Sequence, residues 1–192
     1  MRHRIFIAIN LPEEIKKRLV FYQSKWPELP CRWTKKENLH ITLMFLGYLS
    51  DEELLEVLEI TKEVAARNQS FSINLGKICY GPPKKMPPRL VWVEGEKSEE
   101  LGKLQKDLEN SLLACSIKGM EIENRLWIPH ITLGRIRVWE FRQIEPEERP
   151  EIDEEISLNF EVNLIEVMES QLKRRGAEYT VLESAPLANL SE

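Results

Sequence analysis

The sequence predicts an α+β fold built as two related lobes around a shared cleft. Three observations carry that prediction. First, the tetrapeptide His-Ile-Thr-Leu occurs at 40–43 and again at 130–133, 90 residues apart in a chain of 192. Second, both copies follow the same order of elements, an apolar strand and then an amphipathic helix. Third, most strand-like runs alternate polar and apolar residues, and the chain closes on a hairpin pattern, which favours antiparallel pairing over a uniformly apolar parallel sheet.

Strand geometry gives the repeat a chemical meaning. A β-branched, apolar run favours extended backbone, and side chains on a strand alternate faces. His40 and Thr42 therefore point one way and Ile41 and Leu43 the other; His130 and Thr132 oppose Ile131 and Leu133 in the same manner. The apolar pair faces a core. The polar pair suits a phosphoryl group, with an imidazole to move a proton and a hydroxyl to donate to a non-bridging oxygen. A single His-x-Thr reads as an ordinary solvated pair. Two copies using two of the chain's three histidines do not.

Composition excludes several classes. At 42% hydrophobic and 31% charged the chain is of ordinary globular type, and no apolar run approaches membrane-span length. Residues 1–9 are too short for a signal peptide and read as a strand. Cys31, Cys79 and Cys115 are odd in number and widely spaced, as expected of thiols in a reducing, cytoplasmic compartment. A net charge of −5 argues against general coating of nucleic acid and leaves room for a local grip on one phosphate end.

Arg4–Asn10 reads as the first strand, and Pro12, Glu13 and Glu14 open a helix that runs to about Trp26. Arg32–Thr34 is a short extended piece. The first motif strand follows, with Gly47 permitting the turn out of it. Ser50 and Glu53 form a capping box for a helix reaching about Arg67. Phe71–Leu75 alternates as a strand. Gly81–Arg89, rich in proline and lysine, is a rigid loop and the natural boundary between halves. Leu90–Val93 is a strand, and Ser98 opens a helix with Leu101, Leu104, Leu108 and Leu112 on one face. After the second motif, 137–142 reads as a short helix or loop, the acidic stretch 145–155 as a solvated excursion, and Phe160–Ser170 as one long strand. Residues 173–176 turn the chain by a longer loop into Tyr179–Glu183, and 188–192 reads as frayed. The expectation is one bilobal domain over 1–192, with repeat units 1–80 and 88–135 completed by a hairpin over 158–184.

These passages together resemble the two-histidine phosphoesterases, and within them the bacterial and archaeal RNA 2′,3′-cyclic phosphodiesterases, also known as 2′-5′ RNA ligases. The resemblance rests on Arg4–Ile9 with Leu11-Pro12, on Glu37–Gly47, on Pro88–Trp92, on Pro129–Arg135 and on Glu169-Ser170 through Tyr179–Leu182. It departs at Gly134, where the family often has Ala, and at Gln171, where an Arg usually follows the Ser. It implies pseudo-symmetric lobes, each with an antiparallel sheet and outer helices, around a central cleft. The implied substrate is RNA with a 2′,3′-cyclic phosphate end, opened to a 2′-phosphomonoester without metal or other cofactor. Some members also join tRNA halves through a 2′-5′ linkage without ATP.

Opening the ring needs a base for water and an acid for the departing ribose oxygen. The resemblance assigns His130 as general base and His40 as general acid, with Thr42, Thr132 and Arg135 on the phosphate. Cleavage on the other side of phosphorus would exchange the two histidines. Neither motif offers a carboxylate beside its histidine and no His-x-x-x-His occurs, so no metal is expected. Phe6, Trp33, Phe45 and Tyr80 are candidates for stacking on a terminal base, although core packing is the favoured duty for Phe6 and Phe45. Lys84, Lys85 and the basic residues at 173–175 are candidates for backbone contact. His3, without a neighbouring Thr, reads as an exposed, non-catalytic residue. The protein is expected to be a monomer away from membranes. The competing readings are a phosphodiesterase for another small nucleotide ester and a non-catalytic module that binds RNA phosphate ends.

Overall fold

In the computed structural model the two His-Ile-Thr-Leu runs begin the two central strands, β3 (His40–Leu49) and β6 (His130–Ile136). The structure describes residues 2–115, 117, 127–174 and 176–189. The other strands are β1 (His3–Asn10), β2 (Cys31–Trp33), β4 (Phe71–Gly81), β5 (Leu90–Gly95), β7 (Asp153–Val162), β8 (Leu164–Lys173) and β9 (Gly176–Pro186). Their order is β7-β4-β5-β6-β3-β1-β8-β9, with β2 paired to β6. Each of these pairings is antiparallel. The lobes meet at one cross-strand pair, Ile41 with Ile131. One lobe is therefore β3-β1-β8-β9 and the other β6-β5-β4-β7, related by a pseudo-two-fold through that pair.

Each lobe borrows strands from the other half of the sequence. Strand β4 follows the first motif yet pairs with β5 in the second lobe. Phe160–Ser170 is not one strand. It breaks at Asn163, so that β7 pairs with β4 and β8 with β1. The buried parity explains the break: Phe160 and Val162 face the core before it, Ile165 and Val167 after it, and no single strand satisfies both.

Apolar residues of one sheet face meet the helices α1 (Glu13–Gln23), α2 (Asp51–Ala66) and α3 (Glu99–Ala114). Ile5, Ile7, Ile9, Ile41, Leu43, Ile131 and Leu133 are buried there, as are the four α3 leucines 101, 104, 108 and 112. The Ser50–Glu53 capping box forms in both directions, and the Ser98 hydroxyl accepts from the Leu101 N–H. A fourth helix, α4 (Val138–Gln143), buries Phe141. No described helix is long and apolar enough to cross a membrane.

Other local expectations are corrected. Gly47 lies inside β3 at φ 74°, at a strand irregularity, and the strand continues to Leu49. The acidic stretch enters the sheet from Asp153, where Lys77 Nζ lies 2.6 Å from the Asp153 carboxylate. The β8–β9 hairpin is tight, since Lys173 already pairs with Gly176; Arg175 lies outside the described residues. Ala188 is held by hydrogen bonds with Asn68 and Ser70, whereas 190–192 lie outside the described residues. His3 is not exposed: 18% of its side chain is accessible, and its ring nitrogens lie 2.8 Å from Asp51 and Glu169 carboxylates, which raise its pKa.

Candidate active site

On the sheet face opposite the helices, the two central strands carry matching irregularities. In β3, Ala8 pairs with Thr42 but Ile7 with Met44, so Leu43 is an extra residue. In β6, Trp92 pairs with Thr132 but Val91 with Gly134, so Leu133 is the extra residue. Each is a β-bulge at the same place after its histidine. The Leu133 carbonyl, freed from the ladder, accepts from the Thr34 N–H at 2.8 Å and from Gln23 Nε2 at 3.1 Å. A bulge reverses the alternation beyond it. Arg135, opposite Leu90, thus shares a face with His130 and Thr132, and Phe45, opposite Phe6, shares a face with His40 and Thr42. The fifth residue after each histidine is a guanidinium in one lobe and an aromatic ring in the other.

Both imidazoles are held alike. His40 Nδ1 donates to the Asn38 carbonyl and His130 Nδ1 to the Ile128 carbonyl, each at 2.8 Å. This fixes the tautomer and leaves Nε2 as the reactive atom. The Thr42 hydroxyl donates to His40 Nε2 at 3.0 Å. Burial pulls the His40 pKa down to about 4; the Asn38 carbonyl opposes this, and the charges of Lys16 and His130 push it further down. Burial also lowers His130, against the pull of the Ile128 carbonyl. Both rings are neutral near pH 7.

The rings sit against aromatic walls. Trp92 lies 4.3 Å from His130, centroid to centroid, and its Nε1 donates to Cys79 Sγ at 3.2 Å. Burial raises the Cys79 thiol to about 11, which keeps it protonated. His40 is flanked by Phe6 at 5.0 Å and Tyr179 at 5.3 Å. Phe45 stands 6.0 Å from Phe6 and is 54% exposed at the cleft rim. Trp127 Nε1 donates to the Thr42 carbonyl at 3.1 Å and so ties the approach to β6 to the first motif. Beneath the cleft, Glu166 sits opposite Ala8 with Oε2 buried and unpartnered, and burial raises its pKa.

The expected site residues are not all brought together. His40, Thr42, His130, Thr132 and Arg135 share the cleft face, and so does Phe45. Trp33 does not. It pairs with Gly134 beyond the bulge, packs on the core and stacks on Trp26 at 6.5 Å. Tyr80 also points away, donating to the Pro150 carbonyl at 2.6 Å with its ring edge on Phe141. Lys84 and Lys85 are exposed on the loop joining Gly81 to Leu90, at the Arg135 end of the second lobe. Sequence reasoning missed Trp92 and Tyr179 as ring partners. Trp92 lies on the strand beside the second motif, opposite Thr132, whereas Tyr179 lies on β9, three strands from β3, and no local pattern pointed to it. Among the described residues, no three His, Cys, Asp or Glu side chains converge on a metal site.

Comparison with known proteins places this geometry. A family model described as LigT like Phosphoesterase matches residues 9–92. A Thermotoga maritima RNA 2′,3′-cyclic phosphodiesterase is 30% identical over 184 residues, covering 93% of this chain and 92% of that one. The chain belongs to the LigT-like RNA 2′,3′-cyclic phosphodiesterase family of two-histidine phosphoesterases. Among solved structures, Thermus thermophilus TT0787 superposes with a TM-score of 0.84 at 28% identity, over 97% of this chain and 98% of that one. E. coli LigT complexed with 3′-AMP gives 0.78 at 26% identity, over 97% and 99%. Gln171, after the Ser of the closing hairpin, is exposed and donates to the Glu169 carboxylate at 3.3 Å.

Proposed function

We propose that the protein opens 2′,3′-cyclic phosphate ends of RNA to 2′-phosphomonoesters, with His130 as general base and His40 as general acid. The observation that carries this reading is the pair of tautomer-fixed imidazoles, each two residues before a threonine on the same strand face, on pseudo-equivalent strands of one cleft. His130 Nε2 takes a proton from water as its oxygen bonds to phosphorus. The P–O3′ bond breaks in line, and His40 Nε2–H returns a proton to O3′. Thr42, Thr132 and Arg135 hold the non-bridging oxygens as charge builds. The departing ribose stays on His40's side. That side has the aromatic surface of Phe45, Phe6 and Tyr179, which suits the terminal nucleoside.

The acid must first be protonated. A bound phosphate anion raises the pKa of His40 and, once the imidazolium forms, frees the Thr42 hydroxyl to turn to the phosphate. After turnover His130 carries the proton and His40 does not, and exchange with solvent resets the pair. With an RNA 5′-hydroxyl in place of water and the steps in the same direction, the same groups join tRNA halves: His130 takes the 5′-hydroxyl proton as its oxygen bonds to phosphorus, and O3′ leaves with a proton from His40. The functional unit is a monomer, since both histidines come from one chain.

The test is product analysis on a short RNA ending in a 2′,3′-cyclic phosphate. The expected product is the 2′-phosphate, formed equally with EDTA present. A 3′-phosphate would reverse the two histidine roles. No conversion by the folded protein would overturn the reading.

The pH profile is a separate prediction. One histidine must be charged and the other neutral, and kcat/KM reports the free enzyme. Both free values lie below 6.5, His40 at about 4. The kcat/KM maximum is therefore expected below pH 6.5, falling as pH rises, while kcat extends to higher pH because the bound anion favours the imidazolium. A kcat/KM maximum above pH 7 would contradict the depressed values.

A further inference from the structure

Beyond the bulge, β6 exchanges β3 for β2 as its neighbour, and this places a second arginine beside the first. Arg32 pairs with Arg135 across β2 and β6. Cross-strand partners share a face, and both are exposed while the next pair, Cys31 and Ile136, is buried. Arg32 therefore stands on the cleft face next to the phosphate-binding position. Its guanidinium extends toward the opposite lobe: Nη2 lies 2.7 Å from where a Cβ on Gly176 would be, at the start of β9. Asn38 Nδ2 donates to the Ala177 carbonyl at 2.8 Å, fastening the approach to His40 to the same hairpin.

Two like charges directly opposite on neighbouring strands destabilise a sheet. Among the described residues, no carboxylate lies within 4.0 Å of either guanidinium, although Asp and Glu outnumber Lys and Arg in the chain by 32 to 27. Among the described residues no ion pair offsets this repulsion, and a pair of adjacent phosphates would. Lys84 and Lys85 extend positive charge from the same end of the second lobe.

We propose that Arg32 binds the phosphate immediately 5′ of the terminal nucleotide, while Arg135 holds the cyclic phosphate itself. The inference rests on the RNA cyclic phosphodiesterase reading and adds to it a preference for oligonucleotide ends over cyclic mononucleotides. A lone nucleotide fills the Arg135 position and the Phe45 wall but leaves Arg32 empty. Arg32 is a specificity-determining residue outside the proton transfers.

The test is binding of a trinucleotide with a 2′-phosphate end, compared with the corresponding 2′-mononucleotide, across a salt series with the full chain. Arg32→Gln is expected to lower the trinucleotide-to-mononucleotide affinity ratio roughly ten-fold. It should also flatten the trinucleotide salt slope by about 0.7, the value for one contact on a single strand. Arg32→Lys, which keeps the charge, should retain most of that slope. An unchanged ratio and slope in Arg32→Gln would overturn the proposal. Turnover is read separately: an unaltered protein that binds the trinucleotide through Arg32 but converts no cyclic ends would overturn the hydrolase reading alone.

Discussion

Replacing His130 by alanine is expected to lower kcat on cyclic-phosphate RNA by roughly 10²- to 10⁴-fold, the range for loss of a positioned proton-transfer group. His40→Ala should do the same. The double variant should fall by much less than the product of the two, because acid and base serve one displacement. Binding of a 2′-phosphate end should survive in both, since Thr42, Thr132 and Arg135 remain. Stability offers an independent readout. His40 stays neutral when buried, so its folded pKa of about 4 lies below that of the unfolded chain. The unfolded state binds more protons between about pH 6.5 and 4, so stability is lost as pH falls through that window. His40→Ala should flatten this loss. Single variants within a few-fold of the unaltered kcat would refute the assignment.

Gly81→Ala is expected to damage both stability and turnover, although residue 81 has no chemical role. Gly81 pairs with Leu90 at the end of β4, and a Cβ there would lie 2.3, 2.6 and 2.7 Å from three atoms of the Trp92 indole. Trp92 is 3% exposed and lies on His130, so the indole has no open space to move into. The overpacking should cost about 1–3 kcal/mol in denaturant unfolding. Displacing His130 by about an ångström should lower kcat on the order of 10²-fold, with a smaller change in KM. A Gly81→Ala protein of normal stability and kcat would show that Trp92 does not set the His130 ring.

The residues that are legible in the sequence are those whose signals are local. His40 with Thr42 and His130 with Thr132 lie on one side of a short extended run, so alternation alone places each pair. Ser50 with Glu53, and Ser98 before the α3 leucines, announce helix starts by side chains that act within one turn. What the sequence conceals is the bulge. Strict alternation puts Phe45 with Ile41 and Leu43 in the core, and it would put Arg135 with Ile131 and Leu133. One extra residue in each strand reverses both, and Leu43 and Leu133 look like any other strand leucines. The bulge at Leu133 depends on Gln23 and Thr34, about a hundred residues away, so no local pattern reports it. Arg32 was missed for the same reason, because its importance lies in a cross-strand neighbour. Trp33 and Tyr80 turn away from the cleft, because an aromatic residue in a strand-like run carries no local indication of which face it occupies.

The central claim is an in-line displacement between two imidazoles on opposite sides of one phosphorus. It is tested most directly by hydrolysing a single diastereomer of an RNA 2′,3′-cyclic phosphorothioate end in ¹⁸O-labelled water and determining the configuration of the product. Direct attack of water activated by His130, with O3′ leaving toward His40, predicts inversion at phosphorus. Retention would require either two successive displacements through a covalent intermediate or attack beside the leaving group with pseudorotation, and either would contradict an in-line displacement between the two histidines.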